Sequence, residues 1–189
     1  MDSQAGRHIP GEAGLWLLIF GEMSFFTALF GAFLRARGAD PAGFDLARAA
    51  LSRTTGIANT LVLLTSSLLV AKAVEAVRSG DTARAPRLFR AGLGCALGFV
   101  ALKGLEYTSL FSQGVTLGSH PFFGFYFGLT ALHLGHVVIG SAFLLLLSRF
   151  TRRPLAKPSH FALVESAGVF WHMVDLLWLV IFALLYLVE

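Results

Sequence analysis

Charged side chains are scarce in this sequence. Only 11 acidic and 15 basic residues occur among 189, or 14% of the chain. A soluble domain of this size carries about a quarter. The deficit, beside a hydrophobic share of 56%, excludes a soluble enzyme and makes the chain an integral membrane protein. Cysteine is nearly absent. Cys95 stands alone, so no disulfide closes within the chain, and its apolar surroundings suit a buried thiol. The net charge of +4 is not organised as a basic patch interleaved with aromatics, which removes nucleic acid as a partner. The opening MDSQAGRHIPGEAGLW has neither a basic n-region nor a small-residue cleavage site. The first apolar segment is therefore expected to remain in the mature protein. No internal repeat or low-complexity tract is visible, which argues against an inverted-repeat transporter.

What is there is a set of five apolar runs: 14–34, 56–77, 91–111, 121–148 and 161–188. In lipid every backbone group must bond internally, and barrels need short alternating strands, so five such runs mean five helices. The expected fold is an all-α integral membrane bundle of five transmembrane helices, one membrane domain over residues 1–189. Basic residues flank the runs unequally. Arg7, Lys72, Arg78, Arg84, Arg87, Arg90, Arg149, Arg152, Arg153 and Lys157 fall on one side, ten against the four of Arg35, Arg37, Arg48 and Arg53. This bias predicts a cytoplasmic N-terminus and an outside C-terminus.

The fourth run, Pro121 to Ser148, contains no charged residue and would reach roughly 42 Å as a helix. Gly124, Gly128, Ala131, Gly135 and Ala142 share one face, where small side chains allow close approach of a neighbour. Tyr126, His133, His136 and Gly140 lie roughly opposite. Two faces unsuited to lipid predict a helix between neighbours, at the centre of the bundle.

Polar residues mark the other runs. The first helix should begin after Pro10-Gly11, and Glu22 sits near mid-membrane, where a carboxylate must be paired, protonated or functional. Asp40-Pro-Ala-Gly reads as a turn. Asn59, Thr60, Thr65, Ser66 and Ser67 on the second run suit interhelical hydrogen bonds or bonds to their own carbonyls. On the third, Lys103, Glu106 and Tyr107 share a face, and Lys103 and Glu106 can pair at a spacing of three. That pair either neutralises two costly charges or serves as a step in a proton route. On the fifth, Glu165, Gly168, His172, Asp175, Leu179, Phe182 and Tyr186 form one seam, with Trp171 and Trp178 beside it as core. The fourth and fifth helices are expected to be neighbours, with Asp175 paired to a histidine.

The intramembrane ionisable set is thus Glu22, Lys103, Glu106, His133, His136, His172 and Asp175. Histidines and carboxylates on several helices could hold a metal. Di-metal bundles, however, use Glu three residues before His, and no such pair stands on the fourth or fifth run. No metal is expected. A polar network that fixes the fold is the alternative to a functional role for each of these residues.

Five blocks in chain order resemble subunit III of heme-copper cytochrome c oxidases: LWLLIFGEMSFFTALFGAF at 15–33, ANTLVLLTSS at 58–67, LEYTSL at 105–110, FYFGLTALHLGHVVIGSAFLL at 125–145 and FWHMVDLLWLVIFALLYL at 170–187. Glu-Tyr, His-x-x-His-x-x-x-Gly and Trp-His-x-Val-Asp-x-x-Trp carry the resemblance. The chain is similar to the short form that lacks two leading helices. Its HIPGEAGLW opening is similar to the NorE-like branch that accompanies bacterial nitric oxide reductases.

The resemblance implies a subunit with no heme or copper of its own, and no nucleic-acid partner. It would pack on the catalytic subunit of a heme-copper oxidase or nitric oxide reductase, whose heme and copper or non-heme iron do the chemistry. It would also hold structural phospholipid and support proton uptake, in a bacterial cytoplasmic membrane. Glu22 matches the family's intramembrane glutamate, Glu106-Tyr107 its helix pair, and His133, His136, His172 and Asp175 its internal polar residues. The missing leading helices put the family's deep lipid cleft in question. An independent small transporter or metal-binding membrane protein is the competing reading.

Overall fold

A computed structural model describes residues 13–153 and 158–188. Their regular structure is α1 (Ala13–Ala39), α2 (Pro41–Arg48), α3 (Arg53–Arg78), α4 (Arg84–Ser112), α5 (Pro121–Phe150) and α6 (Pro158–Phe182), which runs on into a π-helical turn, Ala183–Leu187. There is no strand among the described residues. Five helices, all but α2, are long and apolar enough to cross a membrane, so this is a multi-pass membrane protein. The expected start at Pro10-Gly11, and Arg7, Lys157 and Glu189, lie outside the described residues.

The helices overrun the apolar segments at basic ends. α1 takes in Arg35 and Arg37, and α4 begins at Arg84, two turns before its apolar run. Arginine is a good helix former whose stem can cover apolar surface while its head reaches water.

The Asp40-Pro-Ala-Gly turn is corrected to a helix start. Asp40 Oδ1 accepts from the Gly43 amide at 3.0 Å, and Pro41 occupies the first helical position. This is an N-cap followed by the residue best suited to it. Phe44 of α2 is then buried edge-on against Phe33 and Phe122, with ring centroids 5.7 and 5.8 Å away. His120 caps α5 in a similar way. Its Nδ1 accepts from the Phe122 amide at 3.1 Å, which leaves the Nε2 hydrogen to reach Asp40 Oδ2 at 3.3 Å. The Gly43 amide, and after it His120, hold the Asp40 carboxyl below its usual range.

α6, not α5, is the central helix. Of its most apolar 18-residue stretch 61% is buried, against 33% for α5 and 17% for α1. α6 packs on α3, α5 and α1, while α4 closes the bundle between α3 and α5. Small residues set these approaches. A methyl group at Gly140 of α5 would stand 2.6 Å from the Trp171 ring, and one at Gly168 of α6 would stand 3.1 Å from Val74. One at Gly56 would stand 2.7 Å from Phe182. The α5 face expected to pack through small residues is instead open. Gly128, Ala131, Gly135 and Ala142 are exposed, and Gly124 is half-buried. Burial belongs to the opposite face, with Tyr126, His133 and Gly140, because Trp171 and Trp178 of α6 supply the bulk there. Both indoles are fully buried, as core.

Candidate functional site

Three polar settings divide the expected site residues. The first lies where α4 and α6 end and α5 begins. Lys103 is 2% exposed and Glu106 7%. The ammonium has three hydrogens and three acceptors: Glu106 Oε2 at 2.7 Å, the Tyr186 hydroxyl at 2.8 Å and the Tyr126 hydroxyl at 3.3 Å. Tyr186 in turn donates to the Glu106 carboxylate, 2.8 Å from Oε1. The rings of Tyr126, Trp178 and Tyr186 stand 4.9, 5.0 and 5.4 Å from Nζ, close enough to add cation–π attraction. Spacing within one helix announced the Lys103–Glu106 pair. It could not announce the two phenols, which arrive from α5 and from the π-helical turn. Tyr107 belongs to the rim of this cluster. The Thr130 hydroxyl donates to the Tyr126 carbonyl, so Tyr107 must be the donor in its 2.5 Å bond to Thr130.

The second setting is the middle layer between α3, α5 and α6. His133 is fully buried and neither ring nitrogen has a hydrogen-bond partner among the described residues. Its ring lies edge-on to Phe99 at 5.5 Å and beside Trp178 at 5.3 Å. Asp175 is 4% exposed; Ser67 lies near it, but neither carboxyl oxygen has a partner of good hydrogen-bond geometry among the described residues, and the Asn59 side chain is equally unpartnered there. The expected Asp175–histidine pair is not formed. His172 Nδ1 is held by the Ser67 hydroxyl of α3 at 2.7 Å, so the same-face partner one turn along is left without it. The serines and threonines of α3 do bond as expected, within the helix and across it. Thr65 donates to the Leu61 carbonyl at 2.8 Å. Ser66 donates to the Gly92 carbonyl at 3.0 Å, and Trp178 Nε1 donates to Thr60 at 3.0 Å. At the far end of the α3–α6 seam Arg78 reaches Glu165 Oε1 at 2.9 Å.

The third setting joins α1 to α5. Glu22 Oε2 lies 3.2 Å from His136 Nε2. Its partner is thus an imidazole of the adjacent helix α5, invisible to spacing along α1. The other nitrogen, His136 Nδ1, is 2.9 Å from the Leu132 carbonyl, which can only accept, so Nδ1 carries its hydrogen. Glu22 and His136 also line a cleft of about 280 Å³ bounded by α1, α5 and α6.

His133, His136 and His172 therefore do not converge: His133 meets the rings of Phe99 and Trp178, His136 stands by Glu22 and His172 bonds Ser67. Among the described residues no group of three or more His, Cys, Asp or Glu side chains is arranged to hold a metal.

Comparison with known proteins covers almost the whole chain. Residues 8–189 match the family described as Cytochrome c oxidase subunit III. Cytochrome c oxidase subunit 3 of Synechocystis sp. is 32% identical over 95% of this chain and 82% of its own length. The Gadus morhua protein of that name is 30% identical over 96% and 72%, and the Corynebacterium diphtheriae one 27% identical over 98% and 92%. The match runs through all five long helices, from the Glu22 region of α1 to the Trp-His-x-Val-Asp-x-x-Trp segment of α6: the chain is a member of the cytochrome c oxidase subunit III family.

Proposed function

We propose that the chain is the subunit, without a redox centre of its own, that packs on and stabilises the catalytic subunit of a heme-copper terminal oxidase in a bacterial cytoplasmic membrane. The observation that carries this reading is the family match along residues 8–189, across all five long helices. Relatives named cytochrome c oxidase support an oxygen-reducing partner over the nitric oxide reductase of the NorE-like branch. Gentle purification from the native membrane tests it. Co-purification with a heme-bearing subunit whose spectrum and mass fit an oxygen-reducing oxidase is the expected result. A colourless homo-oligomer would favour the independent transporter, and a partner that reduces nitric oxide would restore the NorE-like branch. Elemental analysis of the isolated chain should find no stoichiometric iron, copper or zinc.

The basic-residue bias supports a single membrane domain with the N-terminus in the cytoplasm and the C-terminus outside. Tags at Ser79 and Gly118 should then report cytoplasm and outside respectively. Opposite labelling would reverse the assignment.

Support of proton uptake by the partner belongs to the same reading. Its candidates are Glu22, Lys103, Glu106, Tyr107, His133, His136, His172 and Asp175, of which Glu22 and His136 stand 3.2 Å apart. Glu22→Gln keeps shape and removes the titratable proton. Assembly should survive while sustained turnover falls, and turnover equal to the wild type from about pH 6 to 9 would leave Glu22 with packing alone.

A further inference from the structure

We propose that the groove between α3 and α6 is where a transmembrane helix of the catalytic subunit docks, with a hydroxyl or carboxamide side chain of that helix bonded to Nε2 of His172. This rests on the subunit role proposed above and adds the face that meets the partner.

The groove, of about 230 Å³, is lined by Ala71, Val74 and Arg78 of α3 and by Glu165, Gly168, Val169 and His172 of α6. Its two ends differ in what they leave open. At one end Arg78 reaches Glu165 at 2.9 Å, so each charge has its counter-charge within this chain. Two turns along α6 lies His172. The Ser67 hydroxyl holds Nδ1 at 2.7 Å and fixes the ring against α3. Nε2, across the ring, has no hydrogen bond among the described residues. Unlike both nitrogens of His133 it is not sealed in, for His172 is half-buried and lines the groove. Either tautomer leaves Nε2 in want of a partner. As an N–H it needs an acceptor, and as a bare nitrogen it needs a donor.

Depth decides what can supply that partner. Counted from Pro158, His172 is the fifteenth residue of a 30-residue span; counted from Arg53, Ser67 is the fifteenth of 26. Both therefore lie near the middle of a hydrocarbon layer about 30 Å thick, about 15 Å from either polar boundary. Lipid esters and headgroups stay at that boundary, and acyl chains offer no hydrogen bond. A lipid laid along the groove meets Arg78 and still leaves Nε2 against hydrocarbon. Polar side chains within a membrane face protein or pair with one another. A helix of another subunit brings a hydrogen-bonding side chain to this depth. The walls suit such a helix, because Ala71 and Gly168 keep bulk away from the imidazole and small residues let a neighbouring backbone come close. Leu68, next to Ser67, and Leu176, one turn beyond His172, are exposed and extend the face with apolar surface.

The test uses the full chain in native membranes, with photoreactive benzoylphenylalanine in place of Ala71 on the groove and, separately, in place of Leu97, which is exposed on α4. Ultraviolet light should join position 71 to the heme-bearing subunit and leave position 97 without that product. A second arm measures how much heme-bearing subunit each chain retains after detergent washing. His172→Leu should lower retention about threefold, as the loss of one interhelical hydrogen bond gives, and His172→Gln should recover most of it. Ala71→Trp fills the groove from an exposed position, leaves the His172–Ser67 bond in place and should lower retention at least as much. The amount of each variant in the membrane should match the wild type, so that the loss is one of association. Crosslinks from position 71 to lipid or to a second copy of this chain, crosslinks to the heme-bearing subunit from position 97 instead, or full retention in both His172→Leu and Ala71→Trp would each overturn the docking face and leave the subunit role standing. Absence of any heme-bearing partner in the wild type would overturn both.

Discussion

The Lys103 cluster and the middle layer bury polar groups to the same depth and treat them oppositely. Around Lys103 each ammonium hydrogen finds an acceptor and the carboxylate is held by a phenol as well. In the middle layer Asn59, His133 and Asp175 are just as enclosed and bond to nothing among the described residues. An unsatisfied buried polar group costs about 1–3 kcal/mol, so the middle layer weakens the bundle that the cluster holds together. The lesson is that a charge is tolerated inside this membrane protein where three helices converge on it. Around His133 several helices also converge, but they bring the rings of Phe99 and Trp178 rather than acceptors, and the imidazole gains no such compensation.

The largest expected effect comes from breaking the cluster. Lys103→Leu strands the Glu106 carboxylate among phenols and should cost about 3–5 kcal/mol of stability, read by thermal or denaturant unfolding in detergent. Adding Glu106→Leu removes the stranded charge and should recover most of the loss. A double variant no better than the single would show that the pair does not act as a unit.

Next comes Tyr186→Phe. It keeps the ring and its cation–π contact but removes one acceptor for Lys103 and one donor to Glu106. Hydrogen bonds to charged groups are worth about 1.5–3 kcal/mol, and the loss should fall in that range. Tyr126→Phe, which removes the longer 3.3 Å contact, should cost less. The reverse order would mean that the π-helical turn does not deliver Tyr186 to the charge.

In the middle layer the sign changes. Asp175 makes no hydrogen bond of good geometry among the described residues, since the nearby Ser67 hydroxyl is engaged with His172, so Asp175→Leu should be nearly neutral or stabilising, within about 1 kcal/mol. The Asp175–histidine pair expected from spacing would have made the same change costly. A clear destabilisation on unfolding would show a partner for Asp175, and the contrast between the two regions would then fail.

What could be read from the sequence follows the range of the interactions. Five helices were legible because apolar runs of some twenty residues, each with at most two charges, leave one solution in lipid. Lys103 and Glu106 were legible as a pair because three residues of helix bring them together. The phenol of Tyr186 and the imidazole of His136 were visible only as members of a face, since their partners come from other helices and no alignment of spacings reveals rotation between helices. The same gap misplaced the centre. The small residues of α5 looked like a packing seam, but which face of α5 meets α6 depends on the Trp171 ring lying under Gly140. α2 is a different omission, because the Asp40-Pro41 start was on the page and was taken for a turn.

The smallest effect lies outside the membrane, where Asp40 offers a contrast with the buried carboxylates. Its carboxyl caps α2 through the Gly43 amide and reaches His120 at the start of α5, so one exposed acid links two helix ends. Both contacts favour the ionised form and lower its pKa in the folded chain, the Gly43 amide most. The sign follows directly: the stabilisation is present above the unfolded value near 3.8 and is lost as pH falls through the lower folded value. Hydrogen exchange of the α2 amides should therefore quicken, relative to intrinsic rates, only in acid below that range. Asp40→Asn keeps a capping oxygen but cannot titrate, so it should leave α2 capped and remove the acid-dependent change. Because the group is exposed, salt should weaken the His120 contribution and leave the Gly43 cap in place. An acid response in Asp40→Asn equal to that of the wild type would move the titration to another group and leave Asp40 as a cap alone.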